Sequence, residues 1–219
     1  MLTYDDIKNN ESIREYIKRA DESLLALGYT EHSFAHVGRV SHNVEYILTT
    51  LGYPHHDVEL AKIAAYMHDI GNLVNRVDHS QSGAIMSFRI LDKLGMPASD
   101  IATVVTAIGN HDEGTGVPVN PIAAALILGD KSDVRRTRVR NSDVSTFDIH
   151  DRVNYSAVSS ELSISDTKDK ISLDIKIDTK YSSVMEYFEI FLGRMVLCRK
   201  AAERLGLVFH LYINGQRLL

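Results

Sequence analysis

Six side chains of the metal-holding types, His36, His68, Asp69, His79, His111 and Asp130, recur through the first 130 residues of this 219-residue chain. Each falls where a helix could aim it at a common point. Adjacent helical residues point about 100° apart, so His68 and Asp69 cannot share a helix face. At the end of a helix, just before Gly71, both could still reach an ion lying over its last turn. Asp130 follows the apolar run Ala123–Gly129, where a carboxylate is costly to bury unless it is paired or bound to a cation. Mixed imidazole and carboxylate donors suit manganese, iron, zinc, nickel or cobalt, with magnesium also open. Taken singly, each residue has an ordinary reading. A histidine such as His36 on an apolar helix is more often a hydrogen-bonded core residue, a His-Asp pair is common by chance, and Asp130 could cap a helix or join an ion pair. The ordered set across four or five helices is what points to a bound divalent metal.

The elements that must position these residues are helical as far as about residue 140. Ile13, Tyr16, Ile17, Ala20, Leu24 and Leu27 recur at helical spacing, with Gly28 as a left-handed stop. A second helix is expected from His32 to Leu51, closed by Gly52, and a third from Asp57 to Ile70. A fourth runs from an Asp78 cap to Gly95, and Ser99 is the expected cap of a fifth. Asn120-Pro121 is a strong start signal for a sixth, Ile122 to about Val134, apolar nearly all round and therefore central. Beyond about Asn141 the period changes to two. Ile171, Leu173, Ile175 and Ile177 alternate with polar residues, and Tyr155–Ile164 precedes them across the polar turn 166–169, so the pair reads as a hairpin. A long amphipathic helix using Val184, Tyr187, Phe188, Phe191, Leu192, Met195 and Leu205 follows, then a last strand from Leu207 to Ile213. The expected fold is mainly α, with a helical metal-binding domain over 1–140 and a small α+β unit, antiparallel strands plus one long helix, over 141–219.

The ordered set resembles the HD-domain superfamily of metal-dependent phosphohydrolases, whose signature is a histidine, a His-Asp pair and a distal aspartate. Here these are His36 in His36-Val37-Gly38-Arg39-Val40, His68-Asp69 in Met67-His68-Asp69-Ile70-Gly71, and Asp130 in Leu128-Gly129-Asp130. The resemblance covers residues 30–135 and implies a helical bundle whose four ligands bind a divalent metal used in phosphoester or phosphoanhydride hydrolysis. The segments around His79 and around Asn110-His111-Asp112-Glu113 are similar to those of the binuclear, HD-GYP-like branch, which implies His79 and His111 as ligands of a second metal with Asp69 as the bridge. His32 matches a position where some members place an additional ligand, and a hydrogen-bonding role behind the ligands is the alternative. Val117-Pro118 in place of Tyr-Pro, Asn72 in place of lysine and a single histidine at 111 depart from that branch, so its cyclic-dinucleotide substrate is not carried over.

The chemistry implied is attack by water that the metal has acidified towards neutrality, with His68 and Asp69 at the catalytic centre. Lys131 is a candidate to bind phosphate or an exposed helix lysine. Arg135 and Arg136, in the densest basic stretch with Arg138 and Arg140, are further phosphate candidates, although a charge run is ordinarily a solvated surface. Two other readings stand beside hydrolysis: a di-iron HD-type oxygenase, and a nucleotide-sensing module with little catalysis. The expected partner is a small phosphorylated molecule, such as a nucleotide. With 24 Lys and Arg against 29 Asp and Glu, the net charge of −5 gives no general signal for nucleic acid. No apolar run approaches the roughly 18 residues of a membrane span. The N-terminus lacks a secretory pattern and Cys198 has no partner for an internal disulfide, which fits a cytoplasmic setting. A homodimer is compatible with all of this.

Overall fold

The structure is a computed structural model in which residues 2–219 are described. Helix α1 (Tyr4–Lys8) is held by a capping box between Thr3 and Asp6. In α2 (Glu11–Ala26), Asn10 caps the start and Ile13, Ile17, Ala20 and Leu24 form the buried stripe. Helix α3 (Phe34–Leu51) is capped by Ser33 and stopped by Gly52 at φ 83°. Helix α4 (His55–Met67) follows Pro54, and a 3-10 turn over 70–73 continues it. Helices α5 (His79–Lys93) and α6 (Ala98–Gly109) pack on each other and on that turn and α4.

Helix α7 (Pro121–Lys131) is the central element, as its composition requires. The Asn120 side chain accepts from the Ala123 amide at 2.8 Å, Pro121 occupies the first turn, and residues 122–129 are all buried. Proline loses nothing there, because a first-turn amide has no intrahelical partner. The chain then passes through short turns into α8 (Ile149–Ser156), and the sheet begins.

Strands β1 (Ala157–Ile164) and β2 (Lys170–Ile177) form the expected antiparallel hairpin, with Lys168 in the left-handed region at its tip. Strand β3 (Val208–Ile213) lies beside β2 but parallel to it, and the two-residue β4 (Gln216–Arg217) completes the order β1-β2-β3-β4. The parallel pair corrects the expectation of antiparallel strands throughout. Between β2 and β3 runs α9 (Val184–Arg204), whose 21 residues carry the chain back to the end from which β2 started. A helical crossover of that length is what a parallel pair needs.

Local signals misplaced several boundaries. Asp78 precedes α5 in a left-handed conformation and its side chain makes no cap bond. Pro97 precedes α6, so Ser99 lies inside its first turn. Helix α7 stops at Lys131, short of Val134. On α9, Tyr187, Phe191 and Met195 are buried, but Leu192 faces outward at 55% exposure. Helix α9 packs on α7, and side chains of both join one continuous apolar core that also takes in Ile171, Leu173 and Ile175 of the sheet. This contact brings the C-terminal part of the chain to the candidate site.

Candidate metal centre

The six predicted residues converge, and they do so from helix ends. His36 lies in the first turn of α3, and His68 and Asp69 follow the last residue of α4. His79 opens α5, His111 comes just after α6, and Asp130 lies in the last turn of α7. Where a helix ends the backbone turns away, so adjacent side chains such as His68 and Asp69 can face one point.

Around the first point, His36 Nε2 lies 3.3 Å from His68 Nε2, 3.5 Å from Asp69 Oδ2 and 3.3 Å from Asp130 Oδ1. His68 Nε2 is 3.2 Å from Asp69 Oδ2 and 3.7 Å from Asp130 Oδ1. Bonds of about 2.0–2.1 Å from tetrahedral ligands to a central ion imply ligand–ligand separations of about 3.4 Å, so these four atoms are spaced as a ligand set. Asp69 turns its other oxygen the opposite way. Its Oδ1 lies 3.4 Å from His79 Nε2 and 4.0 Å from His111 Nε2, and the two imidazole nitrogens are 3.2 Å apart. One carboxylate thus faces two imidazole sets, one with each oxygen.

The other ring nitrogen of each histidine is held by an acceptor. His68 Nδ1 donates to the Ala65 carbonyl at 2.7 Å, His111 Nδ1 to the Ile108 carbonyl at 2.6 Å, and His79 Nδ1 to the Arg76 carbonyl at 3.2 Å. His36 Nδ1 donates to Asp133 Oδ2 at 2.8 Å. With the proton fixed on Nδ1, each Nε2 offers a lone pair to the shared centre. Two lone pairs facing each other at 3.2–3.3 Å repel unless a cation or a proton lies between them. The chemistry of the donor set therefore fits a divalent cation. In the first set a proton takes that role where no cation is bound: burial opposes a charged His68, but Asp69 and Asp130 outweigh it and raise its pKa to about 10. In the second set burial lowers the pKa of both His79 and His111, so no proton relieves their contact. Burial also opposes the charged form of Asp69, yet the His68 imidazolium holds that carboxylate well below its usual range.

The HD domain family model matches residues 33–153, more than half of the chain and the whole of this constellation. The chain belongs to the HD domain family. It is 25% identical over 162 residues to an uncharacterized protein of Methanocaldococcus jannaschii, a match covering 64% of this chain and 62% of the relative. The chain thus spans less than two thirds of that relative's length. It is also similar, at 24% identity and a TM-score of 0.46, to a crystal structure of a predicted HD superfamily hydrolase from an uncultured Thermotogales bacterium, over 57% of this chain and 67% of that one.

Around the HD centre the charged residues divide differently from the sequence expectation. Lys131 is not an exposed helix lysine. It is buried, with Nζ 2.7 Å from Asp130 Oδ2 and 2.7 Å from Glu113 Oε2. Its pairing with Asp130 fixes that carboxylate so that Oδ1 faces the histidines. The structure does not bring Arg135 and Arg136 to the centre. Arg135 bonds to Glu31 at 2.9 Å and Asp133 at 2.8 Å, while Arg136 lies over the Tyr155 ring at 4.5 Å and donates to the Tyr155 carbonyl. Instead Arg76, Arg138 and Arg194 line the chamber over the six converging residues. His32 lines it too, edge-on to His36 at 5.5 Å with Nδ1 donating to the Thr30 carbonyl.

Asp133, Glu113, Asp112, Arg76 and Arg194 were not singled out from the sequence. Asp133, three residues after Asp130, and Glu113, two after His111, stand close enough to ligands to have been suspected. Asp112 Oδ1 reaches to 4.0 Å from His79 Nε2. Arg194 had no such signal, since it comes from α9, outside the matched segment. The histidines of the C-terminal part lie elsewhere: His150 lines a second, larger cavity beside Tyr29 and Asn154, and His210 is in β3. His150→Ala and His210→Ala should each retain the wild-type metal content by elemental analysis; loss of an ion in either would add a ligand from that half.

Proposed function

We propose that this HD domain is a metal-dependent phosphohydrolase with a binuclear centre: His36, His68, Asp69 and Asp130 for one ion, His79, His111 and Asp69 for the other. The observation that carries this reading is the placement of Asp69 between two imidazole sets, one oxygen towards each. A divalent cation bound there supplies Lewis acidity and a water acidified towards neutral pH.

The chain's own residues supply the rest. Asp69 and His68 set the position of the reacting water and the phosphoryl group. Lys131 balances the outer oxygen of Asp130, so the inner oxygen keeps one orientation through the reaction. The guanidinium groups over the ligands suit phosphate oxygens in charge and in shape. The ligands are almost wholly buried, which excludes bulk water and strengthens each of these charge interactions.

Metal counting tests the binuclear reading directly. Wild type saturated with manganese should approach two ions per chain, while His79→Ala and His111→Ala should each approach one. One ion per chain in all three proteins would refute it. A screen of phosphomonoesters, phosphodiesters and nucleotides with added manganese tests the hydrolase reading, and no turnover of any of them would remove it.

A further inference from the structure

Above the ligand atoms lies a small chamber of about 20 Å³, and it adjoins a larger cavity of about 410 Å³. His32, Arg76, Arg138 and Arg194 line both, so they stand at the passage between them. The outer cavity runs on past Tyr29, Asp151, Asn154 and Phe191. Two of the three arginines are held in place by part of the guanidinium only. Arg194 Nε donates to Glu113 Oε1 at 3.0 Å, and its Cζ lies over the Phe191 ring, 4.4 Å from the centroid. Arg138 donates from Nε to the Glu31 carbonyl and from Nη1 to the Asp133 carbonyl, both at 2.8 Å. Arg76 makes only long contacts from Nη1, 3.4 Å to Asn72 Oδ1 and 3.4 Å to His79 Nε2. A guanidinium carries five N–H donors. Both terminal nitrogens of Arg194, and Nη2 of Arg76 and of Arg138, therefore have no hydrogen-bond acceptor among the described residues.

From this juxtaposition we propose that Arg194, contributed by the C-terminal helix, is a phosphate-binding residue of the HD centre. With Arg76 and Arg138 it forms a receptor for a terminal phosphate, the end group of a phosphomonoester or of a polyphosphate chain. The proposal rests on the phosphohydrolase reading and narrows its substrate class. Two observations favour an end group over an internal diester. The chamber at the ligands has room for a small group only, with the larger space on the arginine side. The unpaired guanidinium N–H groups also suit an end group better: a terminal phosphate offers three non-bridging oxygens and close to two negative charges at pH 7, because its second pKa is about 6, whereas a diester offers two oxygens and one charge. The ion pair with Glu113 holds Arg194 in its working position before a ligand arrives, so little side-chain entropy is lost on binding.

The test compares p-nitrophenyl phosphate with bis(p-nitrophenyl) phosphate on manganese-loaded protein, and measures binding of inorganic phosphate by calorimetry. The monoester should be preferred by about 100-fold or more in kcat/KM. Arg194→Ala should raise KM for the monoester about tenfold, weaken phosphate binding by a similar factor, and leave the metal content unchanged. Arg194→Lys should recover only part of the loss, because an ammonium cannot reproduce the planar fork. A merely structural role for Arg194 would lower kcat or metal content without this split. If Arg194→Ala does not fold, Arg76→Ala is expected to show the same pattern and replaces it. Equal or better cleavage of the diester, or unchanged KM and phosphate affinity in the variant, would overturn the proposal. If neither ester is cleaved, the wider substrate screen decides the hydrolase reading and phosphate calorimetry decides this one. Tenfold weaker binding in the variant then supports it, and equal binding, or no binding by wild type, refutes it.

Discussion

Asp69→Ala and Asp130→Ala should each lower turnover by about three orders of magnitude or more and release metal from the protein. Asp69 is expected to be the more severe. Its Oδ2 lies 3.5 Å from His36 Nε2 and 3.2 Å from His68 Nε2, while its Oδ1 lies 3.4 Å from His79 Nε2. In the proposed binuclear centre, removing it would take a ligand from both ions at once. Asp130 faces only the first set, through Oδ1, so its alanine variant should keep part of the second ion. Asp69→Asn separates charge from shape. It preserves the volume and leaves an oxygen able to accept from Asn72 Nδ2, which donates to Asp69 Oδ1 at 3.0 Å, but it removes the negative charge that would hold the two cations of the proposed centre together. Metal content should therefore fall in Asp69→Asn while the far-ultraviolet circular dichroism stays that of wild type. Wild-type turnover or two retained ions in Asp69→Ala would remove this residue from the centre.

The six converging residues were legible in the sequence because their signal is local. His68-Asp69 before a glycine, and an aspartate ending an apolar helix, are anomalies that a core does not tolerate without a reason. The helices were legible for a related cause: a 3.6-residue apolar period and end signals such as Asn120-Pro121 act within a few residues. The second rank of the site was less visible. Asp133 behind His36, and Glu113 between Lys131 and Arg194, take their roles from contacts across the fold. A dense run of arginines drew attention to Arg135 and Arg136, yet their charges are engaged by Glu31, Asp133 and the Tyr155 carbonyl. Arg138 of the same run does face the centre, but its companions there, Arg76 and Arg194, lie 118 residues apart. No spacing rule links Arg194 to the other two, since it reaches them only because α9 packs on α7. The parallel pairing of β2 with β3 escaped for the same reason, since period two marks a strand but not its neighbour.

Gly71→Ala is expected to damage the protein more than a change of one methyl group suggests. A Cβ at this position would lie 2.0 Å from the His79 carbonyl oxygen and 2.4 Å from the Gly83 amide nitrogen, both backbone atoms of α5. Such contacts are far inside van der Waals distance, and backbone cannot swing aside as the end of a long side chain can. The turn that carries Asp69 and the helix that carries His79 must therefore separate. Gly71 has no positive φ, so the requirement for glycine is one of space and not of conformation. Overpacking of this kind should destabilise the fold by about 3 kcal/mol or more. Because the movement draws His79 away from Asp69 Oδ1, the variant should also lose the second ion before it unfolds. Gly193→Ala supplies the contrast. It lies within α9, is exposed, and a Cβ there meets nothing within 4 Å, so alanine should stabilise the helix by about 0.5–1 kcal/mol. Urea unfolding of the three proteins, with metal counted in parallel, measures both effects. Wild-type stability in Gly71→Ala would mean that the turn and α5 are not in direct contact. Wild-type stability with one ion lost would mean that the strain is confined to the centre.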